Sequence, residues 1–324
     1  MTDSPDIQAL CAGRPVAIVG AGLVGAGWAI VFARAGLNVK MFDANPETTR
    51  KAVPLIAAQL SGLQRHGLID EDAATVLARI TPVATLAEAV DGVAYVQESV
   101  LERVEVKRQL IVDLDALASP DMVVGSSTSG IPGSAFALGL SISPRVLIAH
   151  PVNPPYLVPV VELVPSPETA SGTVSFADAL MRAVGQTVVH VRKEVEGFVL
   201  NRLQAVLLRE AWALAQEGVA SCEDIDKTIR DGLGWRWSFM GPFETIDLNA
   251  PGGVADYAVR LGPLYQRIAQ SRGHEAPWEP ALIRDVETQR REHLSQADLE
   301  SRRAWRDEHL MALAATRRAR DPRA

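Results

Sequence analysis

Two sets of residues in this 324-residue chain have types and spacing that could do chemistry. The first is Gly20, Gly22 and Gly25 in "VAIVGAGLVGAGWAIVFARAG", with Leu23 and Val24 between the last two, a G-x-G-x-x-G at the junction of an apolar strand and an apolar helix. Glycines in that context permit a tight turn, let a pyrophosphate approach the backbone and let helix pack on strand, while the first amides of the helix face the phosphates. Asp43 closes the next apolar run, "NVKMFD", where a carboxylate accepts hydrogen bonds from an adenosine ribose and repels a 2'-phosphate. The cofactor expected is NAD rather than NADP; a glycine-rich packing turn that binds nothing is the alternative. The second set is His150 in "RVLIAHPVNPP" and Glu162, the acidic residue of "VPVVELV". A histidine at a strand end beside a nicotinamide is suited to exchange a proton with an alcohol or carbonyl as hydride moves. Taken alone, such a histidine is as readily a structural one. Glu162 either faces water at a sheet edge or is buried with a partner. Bonded to one imidazole nitrogen, it would fix the tautomer, support the imidazolium and leave the other nitrogen for substrate.

Residues so placed need a sheet to carry them. The first half of the chain alternates β-branched runs with amphipathic stretches, as a parallel sheet with crossover helices requires. Candidate strands are 16–19, 38–43, 93–97, 122–127, 145–150, 158–164 and 187–191, with helical segments such as "EVKRQLIVDLDALA" between them. Gly27 thins a helix face and Gly36 ends that helix. After Val191 the strand signal stops, and "EGFVLNRLQAVLLREAWALAQEG" carries apolar residues at helical spacing from Phe198 to Leu214. The expected fold is α/β: a Rossmann-type, doubly wound, mostly parallel sheet in an NAD-binding domain over 1–191, followed by an all-helical domain over 192–324. Open parallel sheets bind ligands beyond the carboxyl ends of their strands, which directs attention to "GSSTSG", "AHPVNPP" and "VPVVELV".

Composition excludes several classes. A chain with 48% hydrophobic and 22% charged residues is long enough for two domains with a sizeable core. A formal net charge of −7 argues against a nucleic-acid surface; the basic run "TRRARDPRA" reads as a solvated helix end or frayed tail. Cys11 and Cys222 lack metal-ligand spacing, and a reducing compartment is the simpler reading. "MTDSPDIQALCAGRP" has no charged leader with an apolar core, and no run approaches the roughly 18 apolar residues of a membrane span. A cytoplasmic protein with no metal is expected.

The chain resembles the 3-hydroxyacyl-CoA dehydrogenase superfamily over nearly its full length, most closely the branch of lambda-crystallin and L-gulonate 3-dehydrogenase. The resemblance is carried by "VAIVGAGLVGAGWA", "VQESVLE", "SSTSG", "AHPVNPPYLVPVVELVPSPETA", "KEVEGFVLNRLQ", "GLGWRWSFMGPFET" and "RRAWRDEHLMAL". It implies that His150 and Glu162 form the catalytic pair, that Ser129 contacts the substrate oxygen, and that Asn201 lies near the reacting carbonyl. It further implies that Glu98 and Lys107 help hold NAD and that Asn153 lies near the nicotinamide. Bland readings stand beside these: Ser129 as a turn hydroxyl, Asn201 as a tie between helix and sheet, Lys107 as an exposed helix lysine.

Substrate class is approached through what the sequence lacks. In acyl-CoA users of the family, lysine-rich sequence after the second strand meets the nucleotide phosphates; here that stretch offers Arg50, Lys51 and Arg65 without a dense basic face. A small polar hydroxy acid fits better, and Arg236 in "GLGWRWSFMGP" is a candidate clamp for its carboxylate, or else an arginine stacked between Trp235 and Trp237. The reaction expected is L-gulonate to 3-dehydro-L-gulonate. L-carnitine dehydrogenase, a 3-ketoacid or diketo-ester reductase, a 3-hydroxybutyryl-CoA dehydrogenase and a crystallin-like NADH-binding structural protein are the alternatives. The resemblance also implies a homodimer formed through the helical domain.

Overall fold

In a computed structural model of the chain, residues 7–272 and 277–320 are described. The last residues of the C-terminal basic run and the first six of the N-terminal segment lie outside them. Eight strands form one sheet: β1 (Val16–Val19), β2 (Val39–Phe42), β3 (Ile80–Pro82), β4 (Tyr95–Glu98), β5 (Val123–Ser126), β6 (Val146–Pro151), β7 (Val160–Pro165) and β8 (Thr187–His190). Their order is β3-β2-β1-β4-β5-β6-β7-β8, every neighbouring pair being parallel except β6 and β7. The sheet is thus Rossmann-type and mostly parallel, and its order reverses direction about β1, which opens a crevice at the carboxyl ends of β1 and β4. β3 is absent from the sequence reading because three residues ending in proline leave no alternation to detect.

Strand residues alternate between two cores, one on each face. Val16 and Ile18 join a cluster with Trp28, Phe32 and Tyr95, whereas Ala17 and Val19 join one with Val96, Ile111 and Ile148. Among the longer helices, α1 (Leu23–Arg34) is buried from Gly25 to Ala33. It therefore needs apolar residues all round rather than a single stripe. Its Trp28 and Phe32 rings stack 5.5 Å apart. Helix α2 (Pro46–Arg65) starts at an Asn45 cap that accepts from the Glu47 amide, and α3 (Val104–Leu117) and α4 (Ser171–Ala183) complete the layers.

Contacts divide the chain into two compact units, one reaching to Arg202 and resuming at Arg303, the other Leu203–Arg302. Composition marks only where strands give way to helices. The last helix, α8 (Leu299–Arg320), returns to the first unit through its own side chains. Met311 lies against Gly62, Glu308 pairs with Arg65 and His66, and Arg318 pairs with Asp70. In between come α5 (Leu200–Gln216), which begins in the first unit, then α6 (Gly253–Gln270) and α7 (Pro280–His293) with short helical turns. The second unit has a thin core: Ala215, Thr245 and Leu282 are its buried residues among those described. It is tied internally by Trp212 stacked on Trp278 at 4.4 Å and by Arg272 paired with Glu210 and Glu217.

The turn from β1 to α1 depends on absent side chains. Gly20 sits at φ +99°, and a Cβ there would come within 2.4 Å of the Ser99 carbonyl oxygen. A Cβ on Gly25 would lie 1.8 Å from the Gly20 carbonyl oxygen, so helix and turn could not both keep their places. Gly25→Ala is therefore expected to destabilise the first unit by about 2–4 kcal/mol and to abolish saturable NADH binding. Urea denaturation and NADH fluorescence titration check this, and wild-type affinity in the variant would refute the steric argument.

Candidate active site

Parallel strands deliver their carboxyl ends to one edge, and the candidate residues collect there. On the cofactor side, Gly22 borders an open cleft of about 260 Å3 with Ala21, Leu23, Asn45, Glu47 and Thr48. A Cβ on Gly22 would meet nothing within 4 Å, so backbone faces open space at the start of α1. Asp43 closes this floor: its Oδ2 accepts from the Ala21 amide at 2.8 Å and its Oδ1 from the Asn45 amide at 2.9 Å. Each oxygen keeps a further lone pair for a ribose hydroxyl. The turn, the bare glycine and the carboxylate fit a dinucleotide. Val24 follows within α1, partly buried against the core.

At the end of β4 the charges are buried. Lys107, which the sequence alone suggests as an ordinary surface lysine, is 1% exposed, and its Nζ donates to Glu98 Oε1 at 2.9 Å and Oε2 at 3.1 Å. Glu98 also accepts from the Val100 amide at 2.7 Å and from the Ser126 hydroxyl, so all its donors come from the chain itself. Lys107 further pairs with Glu102 Oε2 at 3.3 Å. Glu102 was not singled out in the sequence, although it lies in "VQESVLE". Its Oε1 accepts from Thr128 Oγ1 at 2.6 Å, from the Ser129 amide at 2.7 Å and from the Gly130 amide at 3.3 Å. Burial works to raise the Glu102 pKa, but the Thr128 hydroxyl, Lys107 and the Ser129 amide outweigh it and hold the carboxyl below its ordinary value. The loop bearing Ser129 is thus clamped, with the Ser129 side chain left exposed.

A polar chain stitches the strand ends together. The Tyr95 hydroxyl donates to Gln97 Oε1 at 2.6 Å, and Gln97 Nε2 donates to Ser127 Oγ at 2.7 Å and to the Ala149 carbonyl at 3.2 Å. Gln97 was also missed, since one glutamine in an apolar run gives no signal until its partners are known. The pairing of Ser126 with Ile148 in β5 and β6 places Thr128 and His150 each two residues further along neighbouring chains.

The antiparallel register of β6 and β7 sets His150 directly opposite Glu162. Both are buried, at 5% and 2% exposure, and His150 Nδ1 lies 2.8 Å from Glu162 Oε2. An ionised carboxylate only accepts, so Nδ1 carries the proton and Nε2 is left for an incoming group. Glu162 Oε1 accepts from the Val199 and Leu200 amides, each at 2.9 Å, where α5 begins. Burial raises the Glu162 pKa, but the His150 bond and those two amides prevail and hold it below its ordinary value. Asn201, one residue further on, donates through Nδ2 to the Ser129 carbonyl at 2.5 Å. The structure therefore brings together His150 with Glu162, Ser129 with Asn201, and Glu98 with Lys107.

Two candidates stand outside these contacts. Asn153 is exposed in the loop after β6. Arg236 lies in the short helix Gly234–Trp237 of the second unit, exposed and without an ion pair among the described residues. The cation over an indole there is Arg209, 5.6 Å from the Trp278 ring centre, rather than Arg236 between Trp235 and Trp237. Among the described residues no cluster of His, Cys, Asp and Glu could hold a metal, and no helix is long and apolar enough to cross a membrane.

Known proteins resemble this chain. Residues 15–195 match the model of the 3-hydroxyacyl-CoA dehydrogenase NAD-binding domain, and residues 197–293 match that family's C-terminal domain. Lambda-crystallin of Oryctolagus cuniculus is 40% identical over 311 residues, covering 95% of this chain and 97% of its own. An L-carnitine dehydrogenase of Streptomyces coelicolor is 39% identical over 251 residues, covering 77% and 78%. The crystal structure of FHMPC 5-dehydrogenase, an NAD+-dependent dismutase, superposes with a TM-score of 0.80 at 27% identity, covering 94% of this chain and 98% of that one. With a glycine turn shaped for a dinucleotide and a histidine–glutamate pair at the sheet's carboxyl edge, this chain belongs to the 3-hydroxyacyl-CoA dehydrogenase family, whose members are NAD-dependent dehydrogenases acting on a hydroxyl group of 3-hydroxy acids.

Proposed function

We propose that the chain oxidises the C3 hydroxyl of a small carboxylate-bearing hydroxy acid, with L-gulonate the first candidate, and works as a cytoplasmic homodimer. The observation that carries the chemistry is the buried His150–Glu162 pair, 2.8 Å apart, with one imidazole nitrogen uncommitted. NAD, when bound, supplies the acceptor for the C3 hydride. His150 takes the hydroxyl proton on Nε2, and Glu162 stabilises the imidazolium that results. In the opposite direction the protonated imidazole returns that proton to the carbonyl oxygen. Ser129 and Asn201 hold the substrate oxygen between them, and Lys107 and Glu102 fix the loop beneath it. Arg236, exposed in the second unit, is kept as the sequence's candidate for a substrate carboxylate.

Support for a small substrate comes from α2. Arg50 and Lys51 share Glu47, and Arg65 pairs with Glu308, so two carboxylates already offset the three cations in part and the helix offers no dense basic face for nucleotide phosphates. The relative at 39% identity favours L-carnitine as the second reading. Support for the dimer comes from the second unit, where Val206, Trp235, Phe239, Phe243 and Val259 are each more than two-thirds exposed against the thin core described above. Exposed apolar side chains of this kind support burial in an assembly.

Initial rates of NADH formation are expected to give L-gulonate a kcat/KM higher than that of L-carnitine, L-3-hydroxybutyrate or 3-hydroxybutyryl-CoA by about tenfold, or about 1.4 kcal/mol. A CoA ester in first place would sink the small-acid reading. His150→Ala is expected to lose about 10²–10⁴ in kcat with NADH affinity unchanged, and undiminished turnover would remove His150 from the chemistry. Sedimentation velocity at micromolar protein is expected to give twice the chain mass; a monomer there rules out the dimer.

A further inference from the structure

The two amides that serve Glu162 Oε1 reach it by an unusual backbone. Gly197 sits at φ +76° and Phe198 at φ +50°, two consecutive residues in the left-handed region. Glycine adopts that conformation freely, whereas a residue with a Cβ does so at a steric cost. The cost is met locally. The Phe198 amide donates to the Val195 carbonyl at 3.0 Å and the Gly197 amide to the Gly130 carbonyl at 3.3 Å. The Phe198 side chain is fully buried, with its ring centre 5.6 Å from that of His150 and the planes at 55°. Immediately after the turn, the Val199 and Leu200 amides point at Glu162 and the Asn201 side chain bonds the Ser129 carbonyl. One short turn therefore touches the imidazole, its carboxylate and the serine loop at once.

We propose that Gly197 and Phe198 are positioning residues for the dehydrogenation: their left-handed turn aims two amides at Glu162 and sets an aromatic ring against His150, so that the pair keeps one geometry. The inference rests on the reading that His150 exchanges the substrate proton. The titratable group acting on Glu162 is His150, from the facing strand; its other determinants are burial and the two amides that open α5. Those amides favour the state with Glu162 charged and His150 neutral, the state that accepts a proton from an alcohol. Removing them makes the pair take up its first proton at higher pH, whichever of the two residues holds it.

Gly197→Ala and Gly197→Asn separate this role from mere structure. Either Cβ has room, the nearest atoms being 3.6 Å away on Arg202 and Asn201, but asparagine enters the left-handed conformation at lower cost than alanine. In the pH profile of kcat/KM for hydroxy-acid oxidation, Gly197→Ala is expected to move the acidic limb upward by about one unit. Gly197→Asn is expected to restore it, with NADH affinity unchanged in both. A lowered rate in Gly197→Ala with an unmoved limb overturns the proposal. Should Gly197→Ala not fold by circular dichroism, Phe198→Gly decides: it keeps the turn but removes the ring, so kcat is expected to fall about tenfold with the limb in place. An unchanged kcat or a shifted limb in Phe198→Gly overturns it equally. Failure of the underlying reading is distinct, because His150→Ala would then retain turnover in an otherwise wild-type chain.

Discussion

A carboxylate shut away from water governs the architecture at the catalytic edge. Burying an ion costs several kcal/mol even after relaxation, so Glu162 can sit at 2% exposure only with its acceptor sites filled. Hydrogen bonds to a charged group contribute about 1.5–3 kcal/mol each, and Glu162 receives one from His150 and two from the amides at the start of α5. This requirement accounts for the break in sheet polarity. Running β7 antiparallel to β6 sets Glu162 opposite His150 on the same face, with the short connection 152–159 between them. The same requirement fixes where the strand-bearing part of the chain hands over to helix, because α5 must begin beside Glu162.

Glu98 and Lys107 obey the same rule with a different result. Every donor around Glu98 belongs to the chain, and the lysine that pairs with it also reaches Glu102. Glu98 thus anchors a lysine whose second partner clamps the Ser129 loop. Glu102 is the more accessible carboxylate, half exposed at its side chain while its Oε1 gathers three donors. Two acids four residues apart on one segment therefore divide structural and site-facing duties by depth rather than by chemistry.

What the sequence made legible follows from how local each signal is. The glycine turn, Asp43 and all seven expected strands lie within two residues of their observed bounds, because period-2 patterns and turn residues act over a few positions. Among them 187–191 matches to within one residue although the strand is exposed at its ends. The register of β6 against β7 was not legible, since it is set by a pairing across the connection. Phe198 counts as the first apolar position of a helical pattern in the sequence, yet it stands before α5 in a left-handed turn, a backbone state that apolar periodicity does not encode. Lys107 reads as a surface lysine because a lysine on an amphipathic helix is ordinarily solvated; its burial depends on partners at positions 98 and 102. The return of α8 to the first unit depends on contacts some 240 residues apart, such as Arg65 with Glu308, and no window over the sequence contains them.

The contacts that make Glu162 tolerable also limit what can titrate. Its pKa is held below the ordinary 4.5, so the carboxylate stays charged at neutral pH and above. By linkage, the stability it contributes is present above its unfolded value and is lost as pH falls through the lower folded one. Under the proposed mechanism the pair therefore exchanges a single proton, through His150, while Glu162 supplies constant negative charge. A mobile carboxylate could take the proton itself and leave the imidazole without a counter-charge at the moment of hydride transfer. Fixing the carboxylate with backbone amides, which cannot titrate, removes that route and leaves the direction of proton movement to the substrate oxygen and His150 alone.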